Sequence, residues 1–270
     1  MKALKLIVAT LVLAVTACSP KVNSDKQNTP PPATELKSQQ DGVNNKEAEE
    51  YFNSGFERQE KGDYQGAIAD YTKAIEINPN DAKAYYNRGV VRAELKDYQG
   101  EIADYTKAIE INPNYANAYN NRAAARLESK DYQGAISDST KAIEINPNHA
   151  NTYFIRAMAR VYLKNYQEAK ADYTKAIEIN PNHAQAYYYR GVTRGEFKDY
   201  QGAMADFSKA IEINPNYAQA YLMRGMAHAF SGDKPRAIVD LDKSASLFEK
   251  QNQKEKAQIA LEMIKKLKSL

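Results

Sequence analysis

The chain is expected to fold as an all-α solenoid of paired helices, and three features of its 270 residues lead there. The stretch at 63–80, DYQGAIADYTKAIEINPN, returns at Asp97, Asp131, Asn165 and Asp199, each time 34 residues on, with a looser copy at Asp233. Small residues recur at fixed places of that unit, and an Asn-Pro-Asn punctuates its end. A fixed period of this length marks a stack of supersecondary units whose core runs along the array.

The order of elements follows. Residues 1–17, MKALKLIVATLVLAVTA, open with Lys2 and Lys5 and continue as a ten-residue apolar run over 6–15. That run is too short to span a bilayer and fits the core of a signal peptide. Val15-Thr16-Ala17-Cys18 follows and contains the chain's one cysteine, so no internal disulfide can form. Residues 18–47 are polar, rich in Asn, Gln, Ser and Pro, and include Pro30-Pro31-Pro32. With little to bury, this stretch is expected to be a disordered linker, and the first helix is expected at Ala48.

Six copies then cover 48–251: 48–81, 82–115, 116–149, 150–183, 184–217 and 218–251. Each begins with a helical run such as 82–95. A Lys-Asp or Gly-Asp turn comes next, whose Asp is placed to cap a second helix such as 98–111. Proline ends that helix, and the Asn after it (Asn114) is expected to cap the next one. Small residues at the eighth place (Gly55, Gly89, Ala123, Ala157, Gly191, Gly225) and the twentieth (Ala67, Ala135, Ala169, Ala203, Ala237) let paired helices approach closely. Glu101 is the exception at the twentieth place, and Arg88 or Arg92 is expected to neutralise it. Large residues fill the fourth and seventeenth places with Tyr, and the twenty-fourth with Tyr71, Tyr105, Tyr173 and Phe207. The sixth copy is the most divergent, with Lys234 and Leu241 in place of aromatics, as a terminal unit should be. Residues 252–270 give a capping helix with an apolar stripe of Ala257, Ala260, Leu261, Ile264 and Leu267.

An aromatic at four, Gly or Ala at eight, Tyr at seventeen, Ala at twenty, an aromatic at twenty-four, Ala at twenty-seven and Pro at thirty-two resembles the tetratricopeptide repeat (TPR) pattern. The resemblance covers three quarters of the chain and implies a right-handed superhelix of six helix-turn-helix repeats. It further implies that the first helices line a concave groove for a protein or peptide. Carried onto this chain, the groove residues are Phe52, Phe56, Tyr86, Asn87, Asn120, Asn121, Phe154, Met158, Tyr188 and Leu222, edged by Lys83, Asn117, Asn151, Gln185 and Gln219. The segment ending at Cys18 resembles a bacterial lipobox. That implies cleavage before Cys18, acylation of the cysteine and a stable membrane anchor. Ser19 stands where an Asp would retain the protein in the inner membrane, so the implied location is the outer membrane, facing the periplasm.

Composition narrows the function. Lys+Arg is 37 against Asp+Glu 34, a net charge of +3, so nothing points to nucleic acid. There is no Gly-rich phosphate loop, no nucleophile elbow and no HExxH, so no catalytic residue, cofactor or metal is expected. His149 and His183 share one inter-repeat place and read as exposed loop residues. Arg88, Arg122, Arg156, Arg190 and Arg224 share one place, Arg58, Arg92, Arg126, Arg160 and Arg194 share another four residues on, and every second helix carries an Asp at a matching place: Asp70, Asp104, Asp138, Asp172, Asp206 and Asp240. The favoured reading is contacts that stitch helices together, and the other is a ladder for anions. The function expected is a membrane-anchored scaffold for an envelope complex, with self-association of the array as the alternative.

Overall fold

A computed structural model describes residues 39–269, with side chains from 45 on. The leader, Cys18 and most of the 18–47 stretch lie outside the described residues. Among the described residues thirteen helices follow one another: α1 Gln39–Glu60, α2 Tyr64–Ile77, α3 Ala82–Glu94, α4 Tyr98–Ile111, α5 Ala116–Glu128, α6 Tyr132–Ile145, α7 Ala150–Tyr162, α8 Tyr166–Ile179, α9 Ala184–Glu196, α10 Tyr200–Ile213, α11 Ala218–Phe230, α12 Lys234–Lys250 and α13 Lys254–Lys268. The described residues contain no strand. Each repeat is one helix-turn-helix, so the described residues form an all-α solenoid of paired helices. No described helix is long and apolar enough to cross a membrane. The chain divides into two compact parts, one up to Ala159 and one from Arg160.

The turns inside the repeats behave as the sequence predicts. Asp63, Asp97, Asp131, Asp199 and Asp233 each cap a second helix, accepting from the backbone N–H three residues on. The residue before each cap sits in the left-handed region. Lys96, Lys130, Lys164 and Lys198 have φ of 59°, 67°, 63° and 60°, and Gly62 and Gly232 hold the same place in repeats one and six.

The turns between repeats differ from expectation. The Asn after the proline does not cap. Instead the Asn before it closes the turn, as Asn112 does by accepting from the Asn114 N–H at 3.1 Å. The cap is the residue after Asn-Pro-Asn: Asp81 accepts from the Lys83 and Ala84 N–H groups, and His183 Nδ1 accepts from the Ala186 N–H at 3.3 Å. His149 and His183 are therefore half-buried residues of the helix entrance, not exposed loop residues.

Two boundaries also shift. Helix α1 begins at Gln39, ahead of Ala48, because no proline or apolar break interrupts 39–47. In α13 the packed face is Ala257, Ala260, Met263, Ile264 and Leu267, while Leu261 is 40% exposed. Met263 therefore takes the role the sequence reading gave to Leu261.

The interior is close-packed where the small places meet aromatics. A Cβ added to Gly89 would lie 2.7 Å from the Tyr105 ring, and one added to Gly191 would lie 2.7 Å from Phe207. Ala67, Ala135, Ala169 and Ala237 are wholly buried. Substituting a larger residue there would force overpacking.

Candidate functional site

The fifth place of each copy lies on its first helix, where the sequence analysis puts the groove residues. In the part up to Ala159, Phe52 and Phe56 are half-buried. Tyr86, Phe154 and Met158 are buried, as are Asn87, Asn120 and Asn121. In the part from Arg160, Tyr188 and Leu222 are buried too. The reason is visible around Tyr86. Its ring lies 5.7 Å from Tyr105 of the second helix and 4.9 Å from Tyr115, the last residue of the repeat. Tyr188 repeats the arrangement, 5.9 Å from Phe207 and 5.0 Å from Tyr217. Packing takes up these aromatics from both sides, and they are not the open ligand anchors that the sequence reading makes of them. Tyr115 and Tyr217 escape sequence reasoning because their place falls in the inter-repeat turn. The signal was an aromatic directly after Asn-Pro-Asn in those two copies alone.

The second-place row is more accessible. Lys83 is exposed, and Asn117, Asn151, Gln185 and Gln219 are half-buried. Between repeats three and four, Asn117, Asn120, Asn146, His149 and Thr152 line a shallow hollow. It exists because repeat three carries Asn120 where other copies carry a large apolar side chain, and because His149 stands where Tyr115 stands one repeat earlier.

A chain of hydrogen bonds runs behind this hollow. Asn121 Nδ2 donates to Tyr86 OH at 3.1 Å, and Asn120 Nδ2 donates to Asn121 Oδ1 at 3.1 Å. Thr152 Oγ1 donates to Asn120 Oδ1 at 2.8 Å and lies 2.6 Å from His149 Nδ1. The threonine has one proton and gives it to Asn120, so His149 Nδ1 carries a proton and donates to Thr152. A buried network satisfied in this way fixes the rotamers of Asn120 and Asn121. Asn120 and Asn121 are thereby committed inside the packing, and the half-buried Asn117 and His149 stand at the mouth of the hollow.

The arginine ladder is structural. Arg88 grips Asp104 with two parallel bonds, Nε at 3.0 Å and Nη2 at 2.7 Å, while Nη1 donates to Thr72 of the preceding repeat at 3.0 Å. Arg122, Arg190 and Arg224 repeat this on Asp138, Asp206 and Asp240, each with a hydroxyl of the preceding repeat (Thr106, Thr174 and Ser208). The second arginines reach the same carboxylates: Arg92 to Asp104, Arg126 to Asp138 and Arg194 to Asp206, all at 2.9 Å. Each guanidinium of the first set also lies over the Tyr three residues before it, as Arg88 does over Tyr85 at 5.6 Å. Bidentate pairs on buried aspartates leave these donors committed within the protein.

Glu101 departs from this order. Arg88 and Arg92 are held by Asp104 and do not neutralise it, contrary to the sequence expectation. It is 4% exposed, and its Oε2 has no hydrogen-bond partner among the described residues. Burial, with Asp97 and Glu128 nearby, raises its pKa to about 8.

With two helices, a capped Asp turn and the ladder repeating on one period, the family follows. The chain belongs to the tetratricopeptide repeat family. Family models described as tetratricopeptide repeat match 82–115, 150–183 and 184–217, and also 104–137; one described as TPR repeat matches 57–96. Among solved structures, YrrB, described as a TPR protein with an unusual peptide-binding site, is 24% identical. That match covers 71% of this chain and 97% of YrrB, with a TM-score of 0.59. The pilF protein of Pseudomonas aeruginosa is 18% identical over 80% of this chain and 99% of its own, with a TM-score of 0.68. A tetratricopeptide repeat protein from Parabacteroides merdae is 20% identical over 82% and 93%, with a TM-score of 0.64. At these identities the likeness is one of fold. No curated protein matches this TPR chain in sequence. The TPR fold is a protein-interaction scaffold, and the described residues hold no cluster of metal-binding side chains.

Proposed function

We propose that this TPR chain is a non-catalytic scaffold that binds a protein or peptide along its first helices. We further propose that a lipid on Cys18 tethers it to the bacterial cell envelope, at the outer membrane facing the periplasm, where it supports assembly of an envelope complex. One observation carries the binding reading. The second-place row is accessible on successive first helices, and it carries one lysine and then four amides: Lys83, Asn117, Asn151, Gln185 and Gln219. Beside it lies the hollow of Asn117, Asn120 and His149. Amides next to buried aromatics suit an extended peptide, whose main chain they can hydrogen-bond. YrrB, with its unusual peptide-binding site, lends support from the same fold. The anchor rests on Val15-Thr16-Ala17-Cys18 at the end of the apolar run.

The binding reading is tested by crosslinking capture from envelope extracts, followed by titration of whatever protein is captured. Asn117→Ala and Gln185→Ala together should weaken it about tenfold, or roughly 1.4 kcal/mol, while Lys73→Ala on α2 binds as wild type. Equal affinity for both variants would remove the first helices as the binding face. The buried aromatics are poor probes, since truncating Tyr86 or Phe154 would cost stability first. For the anchor, Cys18→Ser should abolish lipid labelling and release the chain from the membrane fraction. A variant still sedimenting with membranes after a salt wash would refute the lipobox.

A further inference from the structure

The two ends of the array carry faces of opposite charge, and we infer that copies of this chain associate head to tail through them, α1 of one copy against α13 of the next. The first face is defined by what it lacks. In repeat two, Ala84 packs against Ala74 and Ile75 of the preceding repeat, and Val91 against its Ala67 and Tyr71. Repeat one has no preceding repeat. The same places there hold Glu50 and Glu57, both exposed, with exposed Asn53 between them at the place of buried Asn87. Glu47, Glu49 and Glu60 are exposed on the same helix. The cations nearby are Lys46, Lys61, which lies 3.6 Å from Glu57, and Arg58, which is exposed and pairs with Asp70 at 3.0 Å, so the five exposed glutamates still outnumber them.

The other face is the outer side of α13. Its inner side packs Ala257, Ala260, Met263, Ile264 and Leu267 into one core with Leu222, Leu241 and Phe248. Lys254, Gln258, Leu261, Lys265 and Lys268 are exposed and fall four, three, four and three residues apart, so they form one outward stripe. Glu255 and Glu262 flank it, and Gln258 Nε2 donates to Glu262 at 3.2 Å. The stripe therefore sets three lysines around an apolar side chain that is 40% exposed.

A cap needs only to be polar to keep an array from sticking to itself. Opposite signs at the two ends go beyond that need, and they allow contact with a second copy while disfavouring like ends. Two different faces of one chain make a heterologous contact, which leaves one face of each kind open for a further copy until a ring closes. One helix against one helix is a small interface, so the association should be weak and sensitive to salt.

The test is sedimentation velocity of the full chain in mild detergent. At about 20 mM salt the mass should rise with concentration over the micromolar range, and at about 500 mM it should fall to that of a monomer. Glu50→Lys with Glu57→Lys, and separately Lys265→Glu with Lys268→Glu, should each weaken association at least about tenfold. Mixing the two double variants should restore association, because the unchanged basic face of the first meets the unchanged acidic face of the second. The quadruple variant carrying all four changes, which again has opposite signs at its ends, should associate on its own. All four positions are exposed, and the neutral pair Glu50→Gln with Glu57→Gln serves as a milder check. A wild-type chain that stays monomeric at low salt, or an association unchanged by either charge reversal, would overturn the proposal.

Discussion

Repeats two and three follow one 34-residue plan and fill their interiors in opposite ways. In repeat two, Tyr105 is buried against Gly89, which has no room for a Cβ. In repeat three the matching residues are Ser139 and Ala123, both fully buried. A methyl group takes the eighth place there, as it also does in repeat four, where Ala157 and Tyr173 are both fully buried. The ring's far end reaches the twelfth place, as Tyr71 shows by donating to Gln59 at 3.0 Å. Repeat three puts Leu127 at that twelfth place, 5% exposed. The substitutions at the twelfth and twenty-fourth places thus make one change, in which a ring on the second helix is exchanged for apolar volume on the first. Variation between copies is therefore not by itself a mark of ligand contact, because part of it is compensation inside the core.

The largest effect expected is from breaking this compensation. Tyr105→Ser places the residue of repeat three in repeat two, where no leucine fills the gap, and should destabilise the chain by about 3–5 kcal/mol. The converse, Ser139→Tyr, drives a ring into Ala123 and Leu127 and should cost about 1–3 kcal/mol. Adding Ala123→Gly and Leu127→Ala to Ser139→Tyr should recover most of that loss. Denaturant melts decide it, and a triple variant no better than Ser139→Tyr alone would mean the three sites are independent.

The next effect sharpens the same comparison at the twentieth place. Repeat three has Ala135 there and repeat two has Glu101, buried with one oxygen unsatisfied. The folded chain holds the Glu101 proton up to about pH 8, against 4.5 for an ordinary glutamate. Between those values the folded state binds more protons than the unfolded one, so this group makes stability fall as pH rises through the window. Glu101→Ala should stabilise the protein by roughly 1–3 kcal/mol near pH 7, more above pH 8 and much less near pH 4. Melts of both proteins across that range are the check, and a pH-independent difference would rule out a buried titrating carboxyl.

Much of the fold was readable because its signals repeat. The 34-residue period fixes the helix pairs, and bounds such as Tyr98–Ile111 follow from an Asp cap and a proline. The ladder was readable because Arg88 and Asp104 recur together in later copies. What the sequence did not reveal lies where a residue's partner depends on competition. Glu101 has two arginines within reach by spacing, yet Asp104 takes both. Tyr86 has the variability of a ligand contact, yet Tyr115 covers it from a turn that reads as a loop. His149 and His183 look like loop residues until the helix start is placed. His183 then becomes the cap of its helix, and His149 a partner in the buried network.

The smallest effect concerns the turn that all repeats share. Repeats one and six place Gly62 and Gly232 in the left-handed region, with φ of 78° and 86°, whereas repeats two to five place lysine there. For an L-residue this conformation costs roughly 1–2 kcal/mol, because Cβ crowds the carbonyl oxygen. Glycine avoids that crowding but loses more backbone entropy on folding, which offsets part of the gain. Lys130 and Lys198 are exposed, so replacing them removes no packing. Lys130→Gly should therefore stabilise the chain by about 0.5–1 kcal/mol, and Gly62→Lys should destabilise it by a similar amount. The two lysine turns lie in separate repeats, so Lys130→Gly and Lys198→Gly should add to within about 0.5 kcal/mol. A loss of stability in Lys130→Gly would show that the lysine contributes more through its side chain than the strained turn takes away.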